Sequence, residues 1–551
     1  MLGQNIIIFR INQYKTFTLA PKVLKIVTFI FSKTQIKTKK MQKSLILKIA
    51  LFATGLSGIV AEYILSTLAS YFLGDSILQW TLVLSFMLFS MGLGSHLSRH
   101  FKENLLEKFI MIELALSTLV GFSALFVYTV SAFTAYTGAI IYVLSILVGL
   151  MIGLEIPLVT RLNEEYEELR YNISSVMKYD YYGSLAGGIF FAFVGLPYLG
   201  LTFTPFVLAM VNFGVAMWLY IRFYNLALPK LRYLLNSLAL FVFSILILGA
   251  VFAKPIIFFG EQKRYKDQII YEEQSKYQKI VITQWKNDYW LFINGSQQFS
   301  TLDEVMYHEP LVHPVLKMTP NPQNILILGG GDGLAVREIL KYPSVKEIIM
   351  VDLDPAMTNL GKNHPVLKNA NQNSMLSPKL KIYNRDGYKF LDDSQQFFDA
   401  IIIDLPDPRT VELGRLYSKE FYMMCYKRLR PNGLVITQSG SPYYSTRAFT
   451  CIRYTLEAAG FEVVPLHNQI LTLGEWGWNI GSKSLSKKQL KEELKKLDFK
   501  NIPTKWLNND AMQLMTSFGK ENFFLSDTAE INTIHNPVLY KYYLRGNWDL
   551  Y

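Results

Sequence analysis

The chain has 551 residues, of which 51% are hydrophobic and only 18% charged, with a net charge of +12. The length exceeds one ordinary domain, and the apolar balance points to a large membrane part. The positive charge does not mark a nucleic-acid binder, because many cations flank apolar runs, where membrane proteins place them.

Residues 1–44 form a basic N-terminal segment with Lys37, Lys39, Lys40 and Lys43 and a short apolar piece at 26–31. No small-residue cleavage site follows, so the segment does not read as a signal peptide. Met41 is the more natural start, since the strong apolar pattern begins after it. Residues 45–253 read as a transmembrane domain. Seven segments are long enough to span, by the ~20-residue criterion: 45–71, 77–97, 109–132, 138–160, 183–203, 204–224 and 234–253. Alternate connections are basic, with Arg99, Lys102 and Lys108, then Arg161, Arg170 and Lys178, then Arg222, Lys230 and Arg232. That alternation puts the N-terminus and the basic loops inside. Glu62 and Glu155 lie in or beside apolar segments, where a carboxylate is costly. Each is expected either to serve transport or amine binding or to be paired within the bundle. The glycines at 183–188 predict close helix packing.

After residue 254 the pattern changes to that of a soluble α/β domain. Residues 254–320 are expected to form a small β-rich substrate-binding unit. Within it, 277–300 alternates apolar and polar residues around an Asn294-Gly295 turn. From 321 to 551 a strand at 325–328 leads into Gly329-Gly330-Gly331-Asp332-Gly333, then a helix at 334–340. Further strands are predicted at 347–351, 380–383 and 400–403. This order predicts a Rossmann-like, doubly wound parallel sheet, class I methyltransferase-like, with a C-terminal extension. Ligands in such sheets sit at the carboxyl ends of the strands, where Asp332, Asp352, Asp386 and Asp404 lie. A glycine turn followed by an acid at the end of strand two points to an adenosine-containing ligand. It leaves open whether that ligand is a dinucleotide or a sulfonium nucleoside. Cys425 and Cys451 are too few for a disulfide framework or a metal cluster and read as buried thiols.

The remaining motifs narrow the choice. They are Tyr277-Gln278, Asn294-Gly295 to Gln298, Asp303-Glu304, Tyr307-His308-Glu309 and His313-Pro314. The 329–333 turn, Val351-Asp352-Leu353-Asp354, Asp386-Gly387 and Asp404-Leu405-Pro406-Asp407-Pro408 follow. Tyr417-Ser418, Phe421-Tyr422 and Gln438 continue the series. In order and spacing this ensemble resembles spermidine synthase over about 200 residues, and the overall layout resembles the membrane-fused branch of that polyamine aminopropyltransferase family.

The resemblance implies transfer of an aminopropyl group from decarboxylated S-adenosylmethionine to an amine, putrescine by default, giving spermidine and methylthioadenosine. The sulfonium nucleoside is a co-substrate; no permanently bound cofactor, no metal and no nucleic acid are implied. Diamines are protonated near neutral pH, with pKa values near ~10, so one end must lose a proton before it attacks. The resemblance makes Asp404 the base that accepts it. It places Asp407, Tyr307 and His308 at the amine, Asp352 on the ribose, Asp386 and Gly387 near the adenine and Gln278 on the nucleoside. Asp332 would attract the donor's free ammonium and repel the carboxylate of undecarboxylated donor.

Some positions depart from the family pattern. Asp352 stands where soluble relatives carry Glu, Leu405-Pro406 replace small hydroxyl residues, and Arg409-Thr410-Val411 replace a Gly-Pro step. No amine-site aromatic is found near 472–478 unless Trp476 or Trp478 supplies it. Lys487, Lys488, Lys491, Lys495 and Lys496 mark a basic amphipathic helix, expected to be a solvated face more than a lipid-binding one. Seven spans starting inside would leave the catalytic half outside. The donor is made in the cytoplasm, and that argues for a multi-pass cell-membrane protein with a cytoplasmic catalytic domain. The competing readings are a methyltransferase and a polyamine transporter or sensor that binds without turnover. The expected partners are the amine and the lipid bilayer; homo-oligomerisation is left open.

Overall fold

The structure, a computed structural model, describes residues 21–74, 76–134, 136–519 and 529–548. Residues 1–20 of the expected basic segment lie outside the described residues, and the apolar piece at 26–31 falls inside the first helix. The chain divides into two compact units, Met1–Ala69 with Gln79–Ile257, and Ser70–Leu78 with Phe258–Tyr551.

The first unit is helical. Its helices are α1 (Pro21–Leu73), α2 (Ser76–Leu97), α3 (Leu105–Ser131), α4 (Thr137–Asn163), α5 (Leu169–Phe190), α6 (Gly200–Phe223) and α7 (Pro229–Arg264). Among the described residues, six stretches, not the expected seven, are long and apolar enough to cross a membrane. The fifth runs for 58 residues, Leu169–Leu226, and contains both the fifth and sixth expected segments. Within the fifth expected segment lies a π-helical turn, Phe191–Leu199, that holds Pro197. The chain breaks at Gly200, whose φ is 62°, and the Thr204 hydroxyl closes the break by donating to the carbonyls of Gly195 and Gly200, at 2.9 and 2.6 Å.

The glycines at 183–188 pack as expected. A Cβ on Gly183 would sit 2.0 Å from the Phe52 carbonyl oxygen, and one on Gly187 2.4 Å from that of Leu56. Only glycine lets α5 approach α1 this closely. Glu62 and Glu155 are buried, and Glu113, which the sequence reading passed over, is fully buried near Glu155. Both Glu113 carboxyl oxygens and one of Glu155 have no hydrogen-bond partner among the described residues. The Glu155 carboxyl accepts from the Thr54 hydroxyl.

The second unit carries two sheets. The first is antiparallel, in the order β1 (Gln268–Gln274), β2 (Lys279–Trp285), β3 (Asp288–Ile293), β4 (Ser296–Ser300). Asn294 and Gly295 both have positive φ, 50° and 79°, as a tight two-residue hairpin turn requires. Strand β1 lies within the expected unit but ahead of the alternating stretch read at 277–300, and its residues alternate between exposed and more buried positions. Helix α8 (Val305–Met318) follows.

The larger sheet comprises β5 (Asn324–Gly329), β6 (Glu347–Val351), β7 (Leu380–Tyr383), β8 (Phe398–Asp404), β9 (Leu429–Gln438), β10 (Glu462–Ile470) and β11 (Gly474–Ser482), in the order β10-β11-β9-β8-β5-β6-β7. Strands β5 to β9 pair in parallel, but β11 is antiparallel to both β9 and β10. The sheet is therefore mixed and not wholly parallel. The reason is local: only three residues join β10 to β11, enough for a hairpin and far too few for a parallel crossover. The apolar runs of β5, β6 and β8 are buried on both faces, as central strands covered by helices must be. Strand β5 lies between β6 and β8, so the chain leaves it in both directions and opens a crevice at its carboxyl end.

The basic helix Lys487–Lys495 buries Leu490 and Leu494 in the core of this unit and turns its lysines outward. Its apolar face is thus already covered, as a solvated-face reading requires. Cys425 and Cys451 are buried and unbridged.

Candidate active site

A single cavity gathers all nine residues singled out from the sequence: Gln278, Tyr307, His308, Asp332, Asp352, Asp386, Gly387, Asp404 and Asp407. They come from distant parts of the chain because the carboxyl ends of β5, β6, β7 and β8 converge there. The glycine turn makes the convergence sterically feasible. Gly329 has φ 86°, and a Cβ on it would lie 2.1 Å from the Asp404 carbonyl oxygen. A Cβ on Gly331 would lie 2.7 Å from Asp352 Oδ2. Glycine thus lets the turn run directly between the two acids.

At the floor, Asp404 Oδ1 accepts from the Tyr307 hydroxyl at 2.8 Å. His308, Asp332 and Asp404 each bring one ligand atom within 4.8 Å of the other two. That spacing suits an ammonium group, and the donor set is also one that a metal ion can use. Asp332 Oδ1 accepts from the Leu334 N–H at 2.8 Å, which fixes the carboxylate at the start of the following helix. His308 is buried, with Nδ1 3.1 Å from Glu304 Oε2. Glu304 in turn forms a two-pronged pair with Arg337, both contacts at 2.8 Å. Glu304 and His308 sit four residues apart on one face of the chain leading into α8, a spacing legible in the sequence.

Electrostatics follow from this crowding. Burial pushes the Asp404 carboxyl up to about 6, helped by the Asp332 charge and opposed by His308 and the Tyr307 hydroxyl. Burial alone would lower His308, but the Glu304 hydrogen bond and charge, with Asp332 and Asp404 beyond, push it up to about 9. Asp352 rises to about 7, through burial and the Asp354 and Asp332 charges, against the Asp354 N–H that it accepts at 2.9 Å. Burial also raises Asp407, against Arg409, Tyr543 and Gln438.

The nucleoside side is braced by loops. Asp386 accepts from the Lys389 N–H at 3.0 Å and pairs with Arg415 at 2.5 Å, so it caps the helix Gly387–Asp393 as well as facing the cavity. Ser275 ties the Gln278 turn to Asp354, 2.6 Å away. The Asp404–Asp407 loop is held from behind: the Tyr417 hydroxyl donates to the Leu405 and Pro406 carbonyls, and Gln438 Nε2 donates to Leu405 at 2.8 Å. Trp476 lines the cavity, while Trp478 is buried beneath it against Tyr307, 5.5 Å between ring centroids. Trp476 therefore occupies the place for which the sequence offered two candidates. Asp303 receives the Thr472 N–H at 2.7 Å, joining β4 to the β10–β11 turn. Sequence reasoning missed Tyr543, whose hydroxyl donates to Asp407 Oδ2 at 2.6 Å. No local signal links residues so far apart.

A model of the spermine/spermidine synthase domain matches residues 304–493. Polyamine aminopropyltransferase 2 of Aquifex aeolicus is 42% identical over 92% of this chain and 99% of its own length. A polyamine aminopropyltransferase of Leptospira interrogans is 36% identical over 92% and 99%. A solved spermidine synthase in complex with the transition-state analogue AdoDATO is 28% identical, with a TM-score of 0.42, over 46% of this chain and 86% of that one. Both curated relatives run through the helical unit as well as the catalytic one, and the chain belongs with them to the spermidine synthase-type family of polyamine aminopropyltransferases.

Proposed function

We propose that the protein transfers the aminopropyl group of decarboxylated S-adenosylmethionine to a diamine, putrescine by default, with Asp404 as the proton acceptor. The observation that carries this reading is the grouping of Asp332, Asp404 and His308 in a cavity that Asp352, Asp386 and Gln278 also line. Asp352, Asp386, Gly387 and Gln278 would hold the nucleoside. Asp332 would hold the donor's ammonium and discriminate against a carboxylate there. Asp407, Tyr307 and His308 would line the acceptor site, with Trp476 as its aromatic wall.

In the step itself, the acceptor nitrogen gives its proton to Asp404 and its lone pair attacks the methylene carbon beside the sulfonium. The carbon–sulfur bond breaks, and its electrons stay on sulfur as a neutral thioether. No anion develops on the leaving group, so orientation supplies much of the acceleration. Asp404 suits the proton transfer because Tyr307 occupies one oxygen and fixes the other.

We also propose that residues 254–320 and 321–551 work as substrate-binding and Rossmann-like parts of one catalytic domain. The helical unit would hold it at the cell membrane, facing the cytoplasm where the donor is made. Reporter fusions after residue 260 test the side. The activity test is methylthioadenosine formation by purified protein given decarboxylated S-adenosylmethionine and a panel of amines. Formation with a diamine supports the reading. Absence of product with every amine overturns it, and methyl transfer from S-adenosylmethionine would replace it.

A further inference from the structure

The helix Leu539–Leu544 brings Tyr543 behind the acceptor end of the cavity. Tyr543 is 2% exposed. Its hydroxyl donates to Asp407 Oδ2 at 2.6 Å, whereas among the described residues Asp407 Oδ1 receives a long contact from Gln438 Nε2 at 3.4 Å. The ring packs on Trp548, 4.7 Å between centroids, and the Arg409 guanidinium lies over its other part at 5.5 Å. Arg409 also hydrogen-bonds the Tyr543 hydroxyl, so the residue that departs from the family pattern closes a chain from Arg409 through Tyr543 to Asp407.

This placement is built into the fold. Asn532 donates to the carbonyls of Gly414 and Tyr417, at 2.8 and 3.1 Å, and accepts the Lys419 N–H through its own carbonyl at 2.9 Å. Those bonds lash the C-terminal segment to the loop after Asp407. Residues 529–548 lie beyond 304–493, the part that matches the synthase domain.

We propose that Tyr543 is a positioning residue that sets acceptor selectivity through Asp407; the inference rests on the aminopropyl-transfer reading. With Oδ2 taken by the tyrosine, Asp407 offers the cavity one oxygen. One oxygen suits a point-like ammonium. A planar guanidinium gains most from two parallel bonds to both oxygens, and at Oδ2 it must compete here with the Tyr543 hydroxyl. The site therefore favours acceptors that end in a primary ammonium over a monoamine that ends in a guanidinium.

The test compares the full-length wild type with Tyr543→Phe, which deletes one oxygen and keeps the ring on Trp548. Steady-state constants are measured for the donor, for putrescine and for agmatine, the guanidinium-ended analogue. Loss of a hydrogen bond to a charged group predicts a putrescine KM about tenfold higher. The putrescine-to-agmatine preference in kcat/KM narrows by a similar factor, while the donor KM and the thermal midpoint stay at wild-type values. In an Asp407→Asn background the same substitution leaves the preference unchanged, which a packing defect would not do. Unchanged putrescine KM and preference in Tyr543→Phe overturn the inference while the transfer reading stands. An equal loss in both backgrounds, or a fall in thermal midpoint with every constant, also overturns it. A wild type inactive with all amines removes the transfer reading itself and this inference with it.

Discussion

The two units of the chain bury carboxylates in opposite ways. In the helical unit Glu113 and Glu155 sit in the bundle core, and three of their four oxygens have no hydrogen-bond partner among the described residues. In the catalytic unit each buried or half-buried acid is tied: Asp404 to Tyr307, Asp332 to the Leu334 N–H, Asp386 to Arg415 and Asp407 to Tyr543. A tied carboxylate has one orientation and one free edge, which is what a reaction needs from a base or an ammonium binder. The same units use glycine alike. Gly183 against Phe52 and Gly329 against Asp404 both bring a backbone within a distance that no Cβ permits. In one case the result is a helix contact, in the other an active-site turn.

The sharpest break of this comparison is Asp404→Asn set beside Glu155→Gln. Removing a positioned base costs roughly 10²–10⁴ in rate, so Asp404→Asn should lose that much kcat and still bind donor. Glu155→Gln should leave kcat unchanged. Equal losses in methylthioadenosine assays would mean that the two acids share a role. Asp332→Asn comes next. Like charges brought together cost several kcal/mol, so the preference for decarboxylated over intact S-adenosylmethionine should fall by an order of magnitude or more. Competition between the two donors measures it directly.

The glycine comparison gives a smaller effect. Gly329→Ala places a side chain at φ 86° and in the Asp404 carbonyl, and the backbone strain alone costs on the order of 1–3 kcal/mol. Thermal unfolding should register that loss, together with lower kcat as the Asp404 loop shifts. Gly183→Ala keeps helical geometry, so it should weaken the helical unit in detergent and spare transfer. A kcat loss equal to that of Gly329→Ala would refute this division.

The apolar length of the helices, the strand-end acids and the Asn294-Gly295 hairpin were all legible in the sequence, because each depends on neighbours within a few residues. The break at Gly200 was harder to place. Residues 183–221 carry no charged side chain, so hydropathy shows no clear boundary, and the turn is made by a φ value and a Thr204 hydroxyl. The antiparallel β10–β11 pair was hidden by a turn whose only cue is Gly474, φ 72°. Glu113 was lost among apolar neighbours. Tyr543 was invisible for the opposite reason: its meaning lies wholly in a partner 136 positions away.

The smallest effect probes the charge that keeps Asp404 usable. Glu304 holds His308 protonated up to about 9, and that charge opposes the rise of Asp404 to about 6. As the proposed base, Asp404 works only when deprotonated, so wild-type kcat should climb tenfold per pH unit well below 6 and level off above it. Glu304→Gln keeps the shape but removes the charge. The His308 pKa then falls, because burial disfavours its cation and the Glu304 charge no longer offsets that. Asp404 loses its cationic neighbour, its pKa rises, and the acidic limb of the pH–rate profile moves to higher pH. A rise of Asp404 lowers the active fraction near neutral pH and leaves the rate at pH 9 almost untouched. Arg337 retains Glu338 at 2.8 Å and the Ala370 carbonyl at 2.7 Å, so the fold around it should hold. A variant whose profile does not move would show that the His308 charge does not reach Asp404. A profile displaced to lower pH would reverse the sign of the coupling and leave Tyr307 as the one neighbour that tunes the base.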